Sequence, residues 1–241
     1  MKKFLNSLFI VLIIIGIAGA GATYSDAIIA IKGNVVSLNE ATADDFKEPA
    51  IIEGDIYYVY DCIATEEVTN TKYGIKTGTT ETNFYLIESY EKSWFTDEND
   101  SYTPLTLIYA TADKEEIKKL DSMVDAWYDY EEAAYAAETQ EEFDAVELPS
   151  NTFSIEGIIK KYDDDKLVEY RNDYLSECVT DDVDTYVEQY CVDMIIDHTN
   201  PDSAKSIFIV ALGIAVVGII GLILTIIASK KKKQNEDEVY Q

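Results

Sequence analysis

IFIVALGIAVVGIIGLILTIIA, residues 207–228, decides how the rest of the chain must be arranged. It carries no charge over 22 residues and is bounded by Lys205 on one side and Lys230 to Lys233 on the other. About 20 apolar residues in a helix cross a bilayer core. A helix packed inside a soluble protein is not normally apolar around its whole circumference for that distance. A transmembrane helix is therefore predicted over 206–229. Asp202, just after Pro201, is expected to cap its start by accepting from backbone N–H groups that lipid cannot satisfy.

At the other end, Phe4 to Ala22 is also uncharged and follows Lys2 and Lys3. Two readings stand. As a signal peptide it has a basic start, an apolar centre and an A-x-A pattern at Ala18-Gly19-Ala20 or Ala20-Gly21-Ala22. As an uncleaved anchor its length approaches the ~20 residues of a span, and that length favours the anchor. Gly16 to Ala20 and Ala211 to Ala215 offer small-xxx-small faces on which two spans can approach closely.

Lysines set the orientation. Four follow the second apolar segment and two precede the first, so the positive-inside rule puts both termini in the cytoplasm and the middle across the cell membrane. The expected organisation is a cytoplasmic N-terminus at 1–3, a transmembrane helix or signal peptide at 4–22, and an acidic extracytoplasmic domain at 23–205. The second span at 206–229 and a cytoplasmic tail at 230–241 complete it.

The whole chain has 19 Lys and Arg against 46 Asp and Glu. Six of the bases and three of the acids lie in the terminal segments, so residues 23–205 hold 13 bases and 43 acids, a net of −30. Such a surface repels phosphate backbones and excludes nucleic acid as a partner. The implied partners are the lipid bilayer and an unidentified protein.

Within the middle, Ile56 to Ala64 (IYYVYDCIA) alternates side chains as a strand does. Asn34–Leu38, Lys72–Lys76, Asn83–Glu88, Leu105–Ala110 and Phe153–Lys161 are further strand candidates. The stretches TGTTET and TDENDSYTP between them read as turns. From Asp113 the period changes: Ile117, Leu120, Val124, Trp127 and Ala134 draw one helical stripe, and Asp113 with Glu116 has the spacing of an acidic capping box. Helices are also predicted over 164–178 and 181–197. The fold class expected is α+β, a mostly antiparallel sheet with three helices, flanked by an N-terminal and a C-terminal transmembrane helix. Ile52-Glu53-Gly54-Asp55-Ile56 is echoed by Ile155-Glu156-Gly157-Ile158-Ile159, a match too short to require duplication.

The N-terminal span, GDIYYVYDCIA, TNFYLIE, SIEGIIKK and the lysine-flanked second span together resemble a family of uncharacterised bacterial two-pass membrane proteins, a domain of unknown function. The resemblance covers most of the chain. It implies topology and supplies no catalytic or binding residue.

Residue chemistry points to no enzyme mechanism. His198 is the only histidine, which removes most Ser/His, Cys/His and multi-histidine metal sites. Asp97, Asn99 and Ser101 match the first ligand positions of a calcium loop, but Tyr102 stands where the turn needs Gly and Ile108 where coordination needs Glu. Asp163-Asp164-Asp165 and Asp181-Asp182-Asp184 favour the positive N-terminal ends of the helices they precede. The GTT at 78–80 lacks a phosphate loop's glycines and Lys. No catalytic residue, cofactor site or metal site is assigned. A disulfide between Cys178 and Cys191 is a candidate, since both fall on apolar faces of consecutive predicted helices; Cys62 would remain a buried thiol. The function expected is a membrane-anchored binding or envelope-assembly module. The alternative is an envelope enzyme using an acidic pair or a bound cation.

Overall fold

The computed structural model describes residues 2–72, 75–89, 104–161 and 165–239. In chain order the elements begin with α1 (Lys2–Ala22), α2 (Tyr24–Lys32), β1 (Asn34–Ser37), β2 (Ala50–Ile56), β3 (Tyr58–Lys72) and β4 (Ile75–Glu88). Then come β5 (Thr106–Thr111), α3 (Lys114–Ala136), α4 (Gln140–Asp144), β6 (Phe153–Lys161) and α5 (Asp165–Cys178). The last three are α6 (Val183–Tyr190), β7 (Cys191–Asp197) and α7 (Pro201–Val239). Two compact units result, one of Met1–Lys32 with Asn200–Gln241 and the other of Gly33–Thr199.

The first unit is helical. Phe4–Ala22 and Pro201–Lys230 are each long and apolar enough to cross a membrane. They pack on one another through small residues, because only a missing side chain lets two helix backbones approach so far. A Cβ at Gly16 would lie 2.5 Å from the Ala215 nitrogen and 2.7 Å from the Ala211 carbonyl oxygen. Gly218 is pressed against the Phe9 carbonyl, and Gly221 against the Phe9 ring. Thr225 adds a polar contact by donating to Asn6 Oδ1 at 2.7 Å. Tyr24 on α2 meets Phe208 on α7, ring centroids 6.1 Å apart. The start of α7 is capped by Asn200, whose Oδ1 accepts from the Ser203 N–H at 2.8 Å. Asp202, the cap expected from sequence, lies inside the first turn instead. Pro201 occupies the first helical position, where its missing N–H costs nothing.

The second unit is built on a seven-stranded sheet of order β1-β2-β6-β7-β5-β4-β3. It is mixed rather than mostly antiparallel: β1 runs parallel to β2, and β7 parallel to β5. Seven helices lie among the described residues rather than three plus two spans, because the short helices α2 and α4 were not expected. Alternation along the central strands sends side chains to two layers. Tyr85, Ile87, Leu107 and Tyr109 pack with Leu120, Met123 and Val124 of α3. Leu86 and Ile108 point the other way, onto Leu167 and Leu175 of α5. The sheet is thus covered on both faces.

Two segments depart from the sequence reading. The TGTTET stretch lies within β4, where its threonines are good strand formers and Gly78 pairs with Asn70. The helix predicted to run to Asp197 stops at Tyr190. Residues 191–197 form β7, held between β5 and β6, with Val192 and Ile196 buried. Long-range pairing overrode a spacing that fitted a helix.

Candidate functional site

Two buried clusters in the Gly33–Thr199 unit join tyrosines to carboxylates. On the α5 and α6 side, Glu88 at the end of β4 is buried and accepts a short hydrogen bond from the Tyr60 hydroxyl. Tyr186 on α6 completes the group, 3.1 Å from Tyr60 and 3.1 Å from Thr106. Burial, and next the Glu88 charge, push the Tyr60 phenol well above its ordinary value, so its proton stays on.

On the α3 side, Glu116 gathers three partners. Tyr109 and Thr111 of β5 each donate to Oε2 at 2.8 Å, and His198 Nδ1 lies 3.1 Å from Oε1. Tyr109 is also 3.1 Å from His198. Burial, reinforced by the Glu116 charge, raises the Tyr109 phenol strongly. Asp113 caps α3 by accepting from the Glu115 and Glu116 N–H groups, which holds its carboxyl below the usual range. The Glu116 carboxylate turns to Tyr109, Thr111 and His198. α4 makes the reciprocal box, between Thr139 and Glu142.

The two larger clefts lie elsewhere. A cleft of about 550 Å³ has an apolar floor that includes Phe84, Leu167 and Ile195, and a charged rim of Lys160, Lys161 and Asp197. Lys160 pairs with Asp197 at 2.5 Å. A second, of about 570 Å³, lies between α3 and residues 151–152, with Lys118 and Lys119 on its wall. Arg171 is buried on α5 and reaches the exposed carboxylate of Asp193 at 3.0 Å. Four lysines, Lys118, Lys119, Lys160 and Lys161, thus line these two clefts beside the acids Glu115, Glu66 and Asp197.

A family described as "Domain of unknown function (DUF8577)" matches residues 1–228. The chain belongs to this family. No curated protein matches the chain, and neither does any solved structure.

In this member of the family, His198 sits in a hydrogen-bonded cluster just after β7, and its partner Glu116, which the sequence placed in a capping box with Asp113, turns its carboxylate to this cluster instead. Asp97, Asn99, Ser101, Asp163 and Asp164 lie outside the described residues. Asp182 caps α6 by accepting from the Thr185 N–H at 3.2 Å. Among the described residues no group of three or more His, Cys, Asp or Glu is arranged to hold a metal ion. All three cysteines are thiols, with Cys178 exposed and Cys62 and Cys191 half-buried. Cys191 is the first residue of β7, directly after α6, rather than a residue on a helical face as the pairing with Cys178 assumed. Burial pushes the Cys191 thiol up to about 11.

Proposed function

We propose that this protein is a two-span membrane protein whose acidic Gly33–Thr199 unit works as a binding or assembly module on the extracytoplasmic face. The observation that carries the reading is the fit between α1 and α7. Gly16 against Ala211 and Ala215, Gly218 and Gly221 against Phe9, and Thr225 on Asn6 form an interface along helices that can cross a bilayer. A segment destined for cleavage needs no such fit. Lysines outside both spans orient the pair with its termini in the cytoplasm. The cleft with an apolar floor of Phe84, Leu167 and Ile195 and a charged rim supports binding as the role of the other unit.

Protease added to intact spheroplasts tests the placement. The expected result is digestion of the 33–199 unit with survival of a tag placed after Gln241. Protection of the unit until the membrane is broken would overturn the orientation, and a mature protein beginning at Gly21 or Thr23 would overturn the two-span reading.

A further inference from the structure

β3 ends the seven-stranded sheet, so its outer edge faces no other strand of the sheet. Such an edge is a template for a further strand unless it is blunted. Near its start it is blunted. Trp127 donates its indole N–H to the Tyr57 carbonyl at 2.9 Å, the Cys62 N–H donates to the Asp61 carboxylate at 2.7 Å, and the Cys62 thiol donates to the Ala64 carbonyl at 3.4 Å. The pairing with β4 also shifts twice between Val59 and Ala64. From Thr65 to Thr69 these devices stop. The register with β4 runs without a shift, all five residues are exposed, and among the described residues no backbone group here has a partner outside β4. At the spacing of a strand this open edge is about 17 Å long.

The two faces beside this edge differ in chemistry. Ala64 pairs with Phe84 and Glu66 with Thr82, so these side chains share the α5 side, where Ala64 and Phe84 pack with Leu167. A cleft of about 310 Å³ lies there, with Ala64, Phe84, Leu167 and Tyr170 in its wall beside Glu66 and Lys166. Glu67 belongs to the opposite, α3 side and stands directly across from Glu81. Both carboxylates are exposed, and neither has an ion pair among the described residues. Like charges across a strand pair weaken it, and a base on an added strand would offset them. When a strand is added to an edge, the backbone supplies affinity and pockets for alternate side chains supply selectivity. We propose that Thr65–Thr69 takes up an extended segment of a partner protein that alternates apolar side chains, toward Phe84 and Tyr170, with basic ones, toward Glu67 and Glu81. The net charge of −30 over residues 23–205 favours such a basic partner over a second copy of this chain. Resting on the binding role proposed above, the site gives that role a partner class.

The test titrates the full chain in maltoside micelles against a fluorescein-labelled peptide, Thr-Lys-Val-Lys-Val-Lys-Thr, followed by anisotropy. Three comparison peptides separate the causes of binding. One has Glu for each Lys, one has the same residues in the order Lys-Lys-Lys-Val-Val-Thr-Thr, and one is methylated on the lysine and valine backbone nitrogens so that it cannot pair as a strand. The alternating peptide should bind saturably and all three comparison peptides much more weakly. Glu67→Lys changes an exposed side chain and should weaken the alternating peptide by about fivefold, the upper range for one cross-strand charge pair. Equal binding of the reordered or the methylated peptide, no saturation, or an unchanged affinity in Glu67→Lys would each overturn the proposal. Binding of the Glu peptide that ignores Glu67→Lys would overturn this site while keeping the domain's binding role, with the ligand at the lysines of the larger clefts.

Discussion

Glu53 of β2 and Glu156 of β6 are antiparallel cross-strand partners, with Ile52 opposite Gly157 and Gly54 opposite Ile155 around them. The two similar pentapeptides of the sequence are therefore paired with each other about the Glu53–Glu156 position. Their glycines are required by close approach. A Cβ at Gly157 would fall 2.7 Å from Ile196 Cγ2, and one at Gly54 2.8 Å from the Leu38 Cβ. Like charges directly opposite one another weaken a strand pair, by a fraction of a kcal/mol. Glu53→Lys should accordingly stabilise the protein by about 0.5 kcal/mol, seen as a higher thermal midpoint, with Glu53→Gln giving a smaller gain. A fall in the midpoint for Glu53→Lys would show that another contact of Glu53 outweighs the repulsion.

The interface between the apolar helices makes a sharper demand. Gly16 has no room for a side chain, whereas Gly213 on α7 has nothing within 4 Å of its Cβ direction. Gly16→Leu should separate α1 from α7 while Gly213→Ala leaves them together. Cysteines introduced at Asn6 and Thr225, which are hydrogen-bonded to each other, report the outcome by crosslinking in the membrane. Crosslinking should be efficient in the Gly213→Ala background and largely lost with Gly16→Leu. Equal crosslinking in both would mean that the close contact does not hold the helices.

Alkali should unfold the domain in a defined window. Burial raises the phenols of Tyr60, Tyr85, Tyr109 and Tyr174 well above their ordinary value, helped by carboxylates at Glu88, Asp121 and Glu116 for the first three. Unfolded tyrosines lose their protons near pH ~10 while the folded ones keep theirs. Above that pH the folded state binds more protons than the unfolded, so stability falls as pH rises. Below it these groups are protonated in both states and contribute no slope. The thermal midpoint should fall steeply above pH ~10, with tyrosinate absorbance appearing together with loss of structure. Tyrosinate absorbance well before unfolding would show that the phenols are not protected.

Local signals carried much of this architecture in the sequence. The stripe from Ile117 to Trp127 and the Asp113 cap needed only neighbouring residues, and α3 starts where they place it. The strand at Phe153–Lys161 was equally plain. What could not be read locally was β7, since a strand inserted in parallel beside β5 depends on residues far away in sequence. The packed aromatic cluster of Tyr58, Tyr60, Trp127 and Tyr174 was hidden for the same reason. Its rings come from β3, α3 and α5, and the six-residue motif IYYVYD announces a strand without saying that two helices meet over its edge.

The three cysteines offer the last test, because their surroundings differ. Cys178 ends α5 and is exposed, whereas Cys191 opens β7 half-buried against Leu175 and its neighbours. Burial is the main reason the Cys191 thiol is pushed up to about 11, and the carboxylates of Asp193 and Glu88 add to it while Arg171 pulls the other way. Burial likewise raises Cys62. Thiolate is the reacting form, so a maleimide at neutral pH should modify Cys178 first and Cys191 slowly. The Cys191 rate should climb about tenfold per pH unit toward its high value rather than level off in the ordinary thiol range. After unfolding without reductant, mass spectrometry should find three modified cysteines. One modified cysteine, with Cys178 and Cys191 both protected, would instead establish the bridge between them and require the end of α5 and the start of β7 to come together.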